Sequence, residues 1–485
     1  MRLRSNDVAE TQTNLAWETL FDLADTRPGP LHSRLAAAIR AAVRDGRLPL
    51  GAALPPSRTL ATDLKVSRWA VTQAYGQLIT EGYLSGRTGS ATRVCWSPEP
   101  EDDRVVRPRP AAVTRPVRFD LSQSISDFRA FPRRKWVESI RTVAETAPFD
   151  QLGYSEHGGE PRLRAVLADH LHRRRGAVAE PDLVCVFSGA GQSMFQLASA
   201  LVEAGHTRIG VEDPGSSRIW EAARAAGLEL VALPVDDDGL VVDALDEHPD
   251  VRAVCVGPAH HVALGCVLAP YRRKALLEWA ARVDGLVVED DYDSEFSYSG
   301  PALPAMQGTD PRRVALLGSM SRTLTPTVNV GWVVVPRRWV EAVQITPMLP
   351  QGPPALTQLA LAHFMESGAY DRHLRTSRQR FRNRRNTLIA ALERTLPECR
   401  IRGAETGVYL LLELPAGSDP TAIIAEAERR DIRLCDINDT RFRPEPDEFR
   451  LQIGYGNLND SLVEEAVAVL GEVIRQVRDN PKGQR

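Results

Sequence analysis

"GSMSRTLTPTVNVGW" occupies residues 318–332 and lies between two apolar runs, residues 314–317 and 333–335. A strand, a Ser-rich turn and a second strand present one side chain to a pocket, and here that side chain is Arg322. A guanidinium is delocalised and stays protonated near neutral pH. It is neither a nucleophile nor a base that can carry a proton between two atoms. The stretch therefore sets two questions: what fold surrounds such a turn, and what a pocket built on an arginine can do.

Outward from this turn the same pattern recurs. The apolar, β-branched runs "LVCVF" (183–187), "RIGVE" (208–212), "LELVALPV" (228–235), "VRAVCVG" (251–257), "GLVVED" (285–290), "RVALLGS" (313–319) and "VGWVVVP" (330–336) read as strands. "QSMFQLASALVEAG" (192–205), "SRIWEAARAAG" (217–227) and "PYRRKALLEWAARVD" (270–284) between them carry helical periodicity. Strands buried on both faces and separated by helices predict an α/β domain with a mainly parallel sheet. Beyond residue 350 a long helical stretch leads to "GVYLLLEL" (407–414) and "FRLQIGYGNL" (449–458), which predict a smaller α+β subdomain.

The chain has 485 residues, 43% apolar and 25% charged, with a net charge of −3. That composition is soluble and globular, with length for two or three domains. The charge is uneven. Residues 27–96 hold ten Lys or Arg against three acids, so the remainder is net acidic and the N-terminal part is suited to a polyanion. Six scattered cysteines without a C-x-x-C pair read as reduced thiols with no metal site, and the expected location is the cytoplasm. No signal peptide or membrane-spanning run is read, and no membrane partner is expected.

In the basic part, "PLHSRLAAAIRAAVRDGRL" (30–48) has a helical apolar stripe stopped at Gly46. "LPPSRTLATDL" (54–64) predicts a short second helix capped by Ser57, "KVS" a tight turn, and "SRWAVTQAYGQLITEGYL" (67–84) a third helix capped by Ser67. "SGRTGSATRV" (85–94) reads as a two-stranded wing turning through Gly89 and Ser90. This is a winged helix-turn-helix. Arg68, Trp69 and Thr72 are expected to face base edges in a double-stranded DNA operator, Ser67 to start the helix that meets the phosphates, and Arg58 to clamp the backbone. Arg87 and Arg93 in the wing are expected to reach an adjacent groove. "SPEPEDDRVVRPRPAAVTRPVR" (97–118), with five prolines, reads as an extended tether. The expected organisation is a DNA-binding domain at 1–96, ordered from about residue 15, a linker at 97–118, and an effector-binding and dimerisation domain at 119–485. Within the last, the large subdomain is expected at about 150–345 and the small one at about 350–485.

The segment "GRLPLGAALPPSRTLATDLKVSRWAVTQAYGQLITEGYLSGRTGSATRV" (46–94) resembles the DNA-binding domain of the GntR family of bacterial regulators. It departs from the family at Ala70, where Thr is usual, and at Ala91, where Gly is usual. "DFRAFPRRKW" (127–136), "LGYSEHGGEPRLRAVLADHLHRRRG" (152–176), "VEDPG" (211–215) and "VVEDDYDSEFSY" (287–298) resemble fold-type I aminotransferases, which use pyridoxal phosphate (PLP). With a GntR module in front, the chain is similar to MocR-type regulators. That resemblance implies a fold-type I aminotransferase-like domain and a head-to-tail homodimer.

The resemblance also places Arg322 where the family has the lysine that forms the internal aldimine, beside Ser321 and after Ser319. Asp290 matches the acid that pairs with the pyridinium nitrogen, and Tyr292 the phenol at the ring hydroxyl. The family's phosphate-binding arginine is Asn329 here, and its ring-stacking aromatic is Ser216. The "P-x-H-Q-[FY]-P-x-G" loop is "PAHHVALG" (258–265), which keeps His260 and departs at His261, Val262 and Ala263. "SGAGQ" (188–192) remains a small-residue turn before a helix, suited to an anion. These changes imply a degenerate PLP site at Asp290, Tyr292, Ser319, Ser321, Arg322 and Asn329, with no covalently bound cofactor and no catalytic residue. By the same resemblance Arg218 matches the position where related regulators hold an effector carboxylate and Arg450 the carboxylate-clamping arginine of aminotransferases; with His260 they are the expected ligand-binding residues, and a planar guanidinium takes a carboxylate through two hydrogen bonds. The function expected is a DNA-binding regulator that senses a small carboxylate-bearing effector and is not an enzyme. The alternatives are a PLP-dependent aminotransferase and a regulator binding PLP or pyridoxamine phosphate noncovalently.

Overall fold

The computed structural model describes residues 17, 21, 29–86, 91–96, 117–122, 126–153, 157–298, 303–344, 352–403, 405–445 and 448–479. The chain divides into two compact units, Met1–Arg115 and Pro116–Arg485.

In the first unit, α1 (Leu31–Arg44) buries Leu35, Ile39 and Val43. α2 (Ser57–Asp63) buries Leu60, and α3 (Arg68–Thr80) buries Val71, Ala74, Tyr75 and Leu78. These side chains form one core with Leu84 and Val94, residues of the paired strands β1 (Leu84–Ser85) and β2 (Arg93–Val94). The turn between α2 and α3 is made by Lys65 in the left-handed region (φ 53°). The Ser67 hydroxyl accepts from the Ala70 amide at 3.2 Å, which caps α3 as expected. Two expectations need correction. Ser57 is not a cap: it is the first residue of α2, preceded by Pro56, and no side chain caps that helix. The third helix stops at Thr80 rather than Leu84, because Gly82 takes φ 78° and turns the chain into β1. The turn of the wing at Gly89 and Ser90, with Arg87, lies outside the described residues, as does the tether at 97–116.

The second unit opens with β3 (Phe119–Asp120), followed by α4 (Arg133–Thr146) and α5 (Pro161–Arg175). Eight strands then build the main sheet: β4 (Val184–Phe187), β5 (Arg208–Asp213), β6 (Glu229–Asp236), β7 (Gly239–Leu240), β8 (Ala253–Val256), β9 (Leu286–Asp291), β10 (Val314–Ser319) and β11 (Gly331–Val334). Their order is β4-β11-β10-β9-β8-β5-β6-β7. β10, β9, β8, β5 and β6 run parallel, and β11 and β7 are antiparallel to their neighbours. The four residues of β4, of β8 and of β11 are all buried, as expected for strands covered on both faces. The covering helices include α6 (Gly189–Glu203), α7 (Ser217–Ala225) and α8 (Pro270–Val283).

α9 (Val340–Gln344) and α10 (Ala355–Glu366) lead to the 27-residue α11 (Ala369–Thr395). The small subdomain has a four-stranded antiparallel sheet, β12 (Arg400–Arg402), β13 (Tyr409–Glu413), β16 (Arg450–Gly454) and β15 (Cys435–Asp436). α12 (Pro420–Arg429) and α13 (Val463–Asp479) pack with it. β14 (Ile432–Arg433) pairs in parallel with β3, so Phe119 and Leu121 join the core of the small subdomain although they precede the large one in sequence. No helix among the described residues is long and apolar enough to cross a membrane.

β5, β8, β9 and β10 are parallel, and β4 points the same way across the antiparallel β11. The C-terminal ends of these five strands therefore gather at one edge of the sheet. In open α/β sheets that edge is where ligands bind.

Candidate functional site

The first unit presents an exposed face. Arg58, Arg68, Trp69, Thr72 and Arg93 are all exposed, while the alternate residues of α3 fill the core. Trp69 is 63% exposed, and its ring meets the edge of His32 at 5.4 Å. Arg68 Nε stands 3.5 Å from Ser57 Oγ, which ties the start of α3 to α2. Two of these groups are partly committed: the Thr72 hydroxyl donates to the Arg68 carbonyl at 3.0 Å, and Arg93 Nη1 donates to the Gly51 carbonyl at 2.9 Å.

In the second unit the strand ends bring Asp290, Tyr292, Arg322 and His260 together. The Arg322 guanidinium lies over the Tyr292 ring, 5.5 Å from its centre, and Nη1 is buried without a hydrogen-bond partner. Burial pushes this guanidinium down from its usual range; Asp293 and Tyr292 oppose that, and Arg218 adds to it. The turn carrying Arg322 is pinned by Ser126, whose hydroxyl donates to the carbonyls of Ser321 and Arg322. Ser319 ends β10, half-buried. His260 Nδ1 sits 2.9 Å from Asp293 Oδ2 and 2.9 Å from the Tyr292 hydroxyl, with the Tyr409 ring 5.0 Å away. This buried network holds Tyr292 in place.

Beside it is a cavity of about 20 Å³, lined by Glu212, Ser216, Trp220, Val262, Asp290 and Tyr292 among others. Burial raises the pKa of both its acids. Burial pushes the Glu212 carboxyl up to about 8, with Asp290 adding and the hydrogen bond from the Gly257 amide (3.0 Å) opposing. Burial pushes Asp290 up to about 7, with Asp291 and Asp293 adding and Arg322 opposing. His261 is also buried; its Nδ1 accepts from the Ala263 and Leu264 amides, and burial holds its pKa at about 3. The ring is neutral, with Nε2 3.6 Å from Glu212 Oε2.

At the outer side, α6 begins at Gly189. A Cβ on Gly189 would meet Asn329 Oδ1 at 3.5 Å, and one on Gly191 would meet the Arg218 stem at 3.8 Å. Arg218 and Asn329 are therefore both drawn to the start of α6, where backbone amides favour an anion. Arg450 differs from expectation. Its guanidinium is bidentate on Glu448, at 2.6 and 2.7 Å, and Glu448 is also held by Arg441 at 2.8 Å. The fork expected to meet a ligand is filled by the chain's own carboxylate.

The sequence reading assigned no role to Glu212, Trp220, Asp293, Tyr409 or Ser126. Glu212 carried a signal: a charged residue at the end of a buried strand costs several kcal/mol unless it is neutralised or used.

The family model "Aminotransferase class I and II" matches residues 121–470. "Bacterial regulatory proteins, gntR family" matches residues 31–94. The chain is 30% identical over 458 residues to the probable rhizopine catabolism regulatory protein MocR of Rhizobium meliloti, covering 90% of this chain and 92% of that one. The chain belongs to the MocR-type subfamily of GntR transcriptional regulators. This regulator is also 34% identical to the pyridoxine biosynthesis transcriptional regulator PdxR of Corynebacterium glutamicum, over 79% of this chain and 83% of that one. Among solved structures, an archaeal alanine:glyoxylate aminotransferase superposes with a TM-score of 0.68 at 21% identity, covering 74% of this chain and 91% of that one. That likeness shows the fold-type I fold of the regulator's second unit.

Proposed function

We propose that the regulator binds operator DNA through α3 and the wing, and that its aminotransferase-like unit senses a small acidic ligand without covalent PLP chemistry. The observation that carries this reading is Arg322, lying over Tyr292 with an unpartnered Nη1 beside a cavity of about 20 Å³. Such a cavity takes roughly one water molecule, so the ligand is placed at its outer side, by Arg218, Asn329 and the start of α6. The residues present do not fit a covalently held PLP. Arg322 offers no nucleophilic amine, Asn329 stands at the family's phosphate arginine, and Ser216 gives no ring to stack on. The retained Tyr292 is tied instead to His260 and lies under Arg322, whose charge also acts on Asp290. We place the regulator outside the enzymes. Arg322, Arg218, Asn329 and the start of α6 suit an anion, and the effector is read as a metabolite with one or two acidic groups.

The regulator is further read as a cytoplasmic homodimer. Val137 and Ile140 on α4, with Phe149 and Leu152 beyond it, are exposed, Phe149 at 94%. Exposed apolar surface of this kind favours self-association, which sedimentation of the full chain checks. The ligand reading is tested by adding PLP to the purified regulator, reducing with borohydride and mapping the digest. The expected result is no phosphopyridoxyl adduct, together with a thermal shift from at least one small di- or monocarboxylic acid that is lost in Arg218→Ala or Arg322→Met. A stoichiometric adduct refutes the noncovalent reading. A shift that survives in both variants removes the anion site from this pocket.

A further inference from the structure

The small subdomain reaches the cavity wall through a strap, residues 441–445. It follows the short turn Ile437–Thr440, whose Ile437 is buried. Arg441 and Phe442 are half-buried, and Arg443, Pro444 and Glu445 are exposed. Three contacts seat this stretch on the end of β5 and the start of α7. The Gly215 amide donates to the Thr440 carbonyl at 2.7 Å, and the Phe442 amide donates to Asp213 Oδ1 at 3.2 Å. The Phe442 ring packs on the Trp220 ring, with centres 4.4 Å apart. Trp220 is buried and lines the cavity together with Ser216 and Cys255. The indole therefore stands between the cavity and the strap.

A buried carboxylate holds the strap down. Glu448 is 4% exposed. Arg441, where the strap begins, donates to it at 2.8 Å, and Arg450, where β16 begins, donates twice, at 2.6 and 2.7 Å. Charge-assisted hydrogen bonds of this length are the strong ones. The sheet of the small subdomain is docked separately. On β13 the Tyr409 hydroxyl donates to the His261 carbonyl, and on β16 Gln452 Nε2 donates to the Ala263 carbonyl at 3.0 Å. Those contacts do not involve the strap, so it can lift while the subdomain stays in place.

We infer that residues 441–445 are a gate, latched by Glu448, that sets how large a ligand the site accepts. This rests on the proposed ligand reading of the pocket. With the strap seated, Trp220 is fixed and the cavity of about 20 Å³ holds roughly one water. An acid at Arg218 is then confined to the outer side. Arg218 and Trp220 share the first turn of α7, so release of the indole joins the outer site to the cavity. A longer ligand can then reach Asp290 and Tyr292, which also line it. The opening is local: an exposed loop with few apolar contacts lifts at lower free energy than the core on which it rests. A ligand that fills the enlarged space stabilises the lifted strap by its preference for that state.

Cys255 reports the gate without any ligand. It lines the cavity and is buried, and burial pushes its thiol well up, so the seated strap should leave it slow to react. Cys185 on β4 is the internal control, since it lies in the same core but away from the cavity lining. The full chain is treated with iodoacetamide or with the bulkier N-phenylmaleimide, and mass spectrometry of the digest reads the labelling rate at each cysteine. Glu448→Gln keeps the side chain's shape and removes its charge. It should speed iodoacetamide labelling of Cys255 about tenfold, because weaker hydrogen bonds to the two arginines raise the lifted population, and it should let the maleimide in. Phe442→Ala should do the same with the latch intact, and it carries the test if Glu448→Gln melts early. Cys185 should label at the wild-type rate in both variants. Unchanged labelling of Cys255 in both variants overturns the inference. A parallel rise at Cys185 also overturns it, because the core as a whole has then loosened. The ligand reading fails separately, when no acid shifts the melting of the wild-type regulator.

Discussion

Replacing Glu212 by Gln should stabilise the regulator in mildly alkaline solution and do little in acid. Glu212 is 8% exposed, and its carboxyl is pushed up to about 8 from an ordinary 4.5. Below pH 4.5 the group is protonated in both folded and unfolded chains and contributes no pH dependence. As pH rises from 4.5 towards 8, the unfolded chain releases the proton and the folded chain retains it. Stability therefore falls through that window and levels off once the folded carboxyl also ionises. A displacement of three and a half units corresponds to about 5 kcal/mol at most, at 1.36 kcal/mol per unit. Glutamine cannot ionise, and its side-chain oxygen still accepts from the Gly257 amide. The variant should be more stable than wild type by about 3–5 kcal/mol at pH 8, and by under about 1 kcal/mol at pH 5. Urea unfolding of the second unit at half-unit pH steps measures both quantities. Parallel pH profiles for the two proteins, or a variant no more stable than wild type at pH 8, would mean that Glu212 is ionised in the folded pocket.

Ser67→Ala removes the cap of α3 and should cost the first unit about 1 kcal/mol, read as an earlier melt of that unit. Arg68→Ala should weaken specific operator binding by about 1–3 kcal/mol if the side chain reads a base; unchanged affinity in Arg58→Ala/Arg68→Ala would remove α2 and α3 from the interface. Arg322→Lys supplies an amine but leaves Asn329, Ser216 and the small cavity, so its absorbance titration with PLP should show weak adduct formation. A tight adduct in that single variant would mean the rest of the site is intact. Arg384 is buried on Asp127 (2.8 Å) and on the carbonyls of Tyr455 and Gly456. Arg384→Met leaves Asp127 buried beside it and should destabilise the second unit by about 3–5 kcal/mol in denaturant unfolding.

The main sheet was legible because its strands are buried on both faces and its helices carry a helical period. All seven expected strands formed within a residue or two of their runs. The tie of Phe119 to Ile432 was not, since no local pattern announces a two-residue parallel bridge across more than 300 positions. The end of α3 was misplaced because Tyr83 and Leu84 continue the apolar pattern past Gly82, and the left-handed glycine outweighs them. At the pocket, Arg322 was singled out by its turn between two apolar runs, and Asp290, Tyr292 and His260 by the family resemblance; the structure brings these four side chains together. Glu212 and His261 escaped because their roles depend on burial and on amide groups from a distant loop. Arg450 was placed on its strand, but the neighbour that fills its fork, Glu448, lies two residues earlier, outside the strand that periodicity describes.

The acids of the pocket bear on the ligand as much as on stability. With burial pushing Glu212 and Asp290 up to about 8 and about 7, Glu212 is mostly protonated and Asp290 about half protonated at pH 7. The charge left at the strand ends is then that of Arg322, with Arg218 at the rim, against Asp293 shared with His260. A pocket of that balance favours anions over amines, although it holds three acids, Glu212, Asp290 and Asp293, against two arginines, Arg218 and Arg322. An anion that binds there raises the proton affinity of both carboxyls further, so its binding should take up protons. Calorimetry of an acidic effector at pH 7.5 in two buffers of different ionisation enthalpy reads this directly. Proton release would place the ligand's charge against Glu212 or Asp290 in their ionised forms, and would reverse the sign of the pocket that this reading assigns.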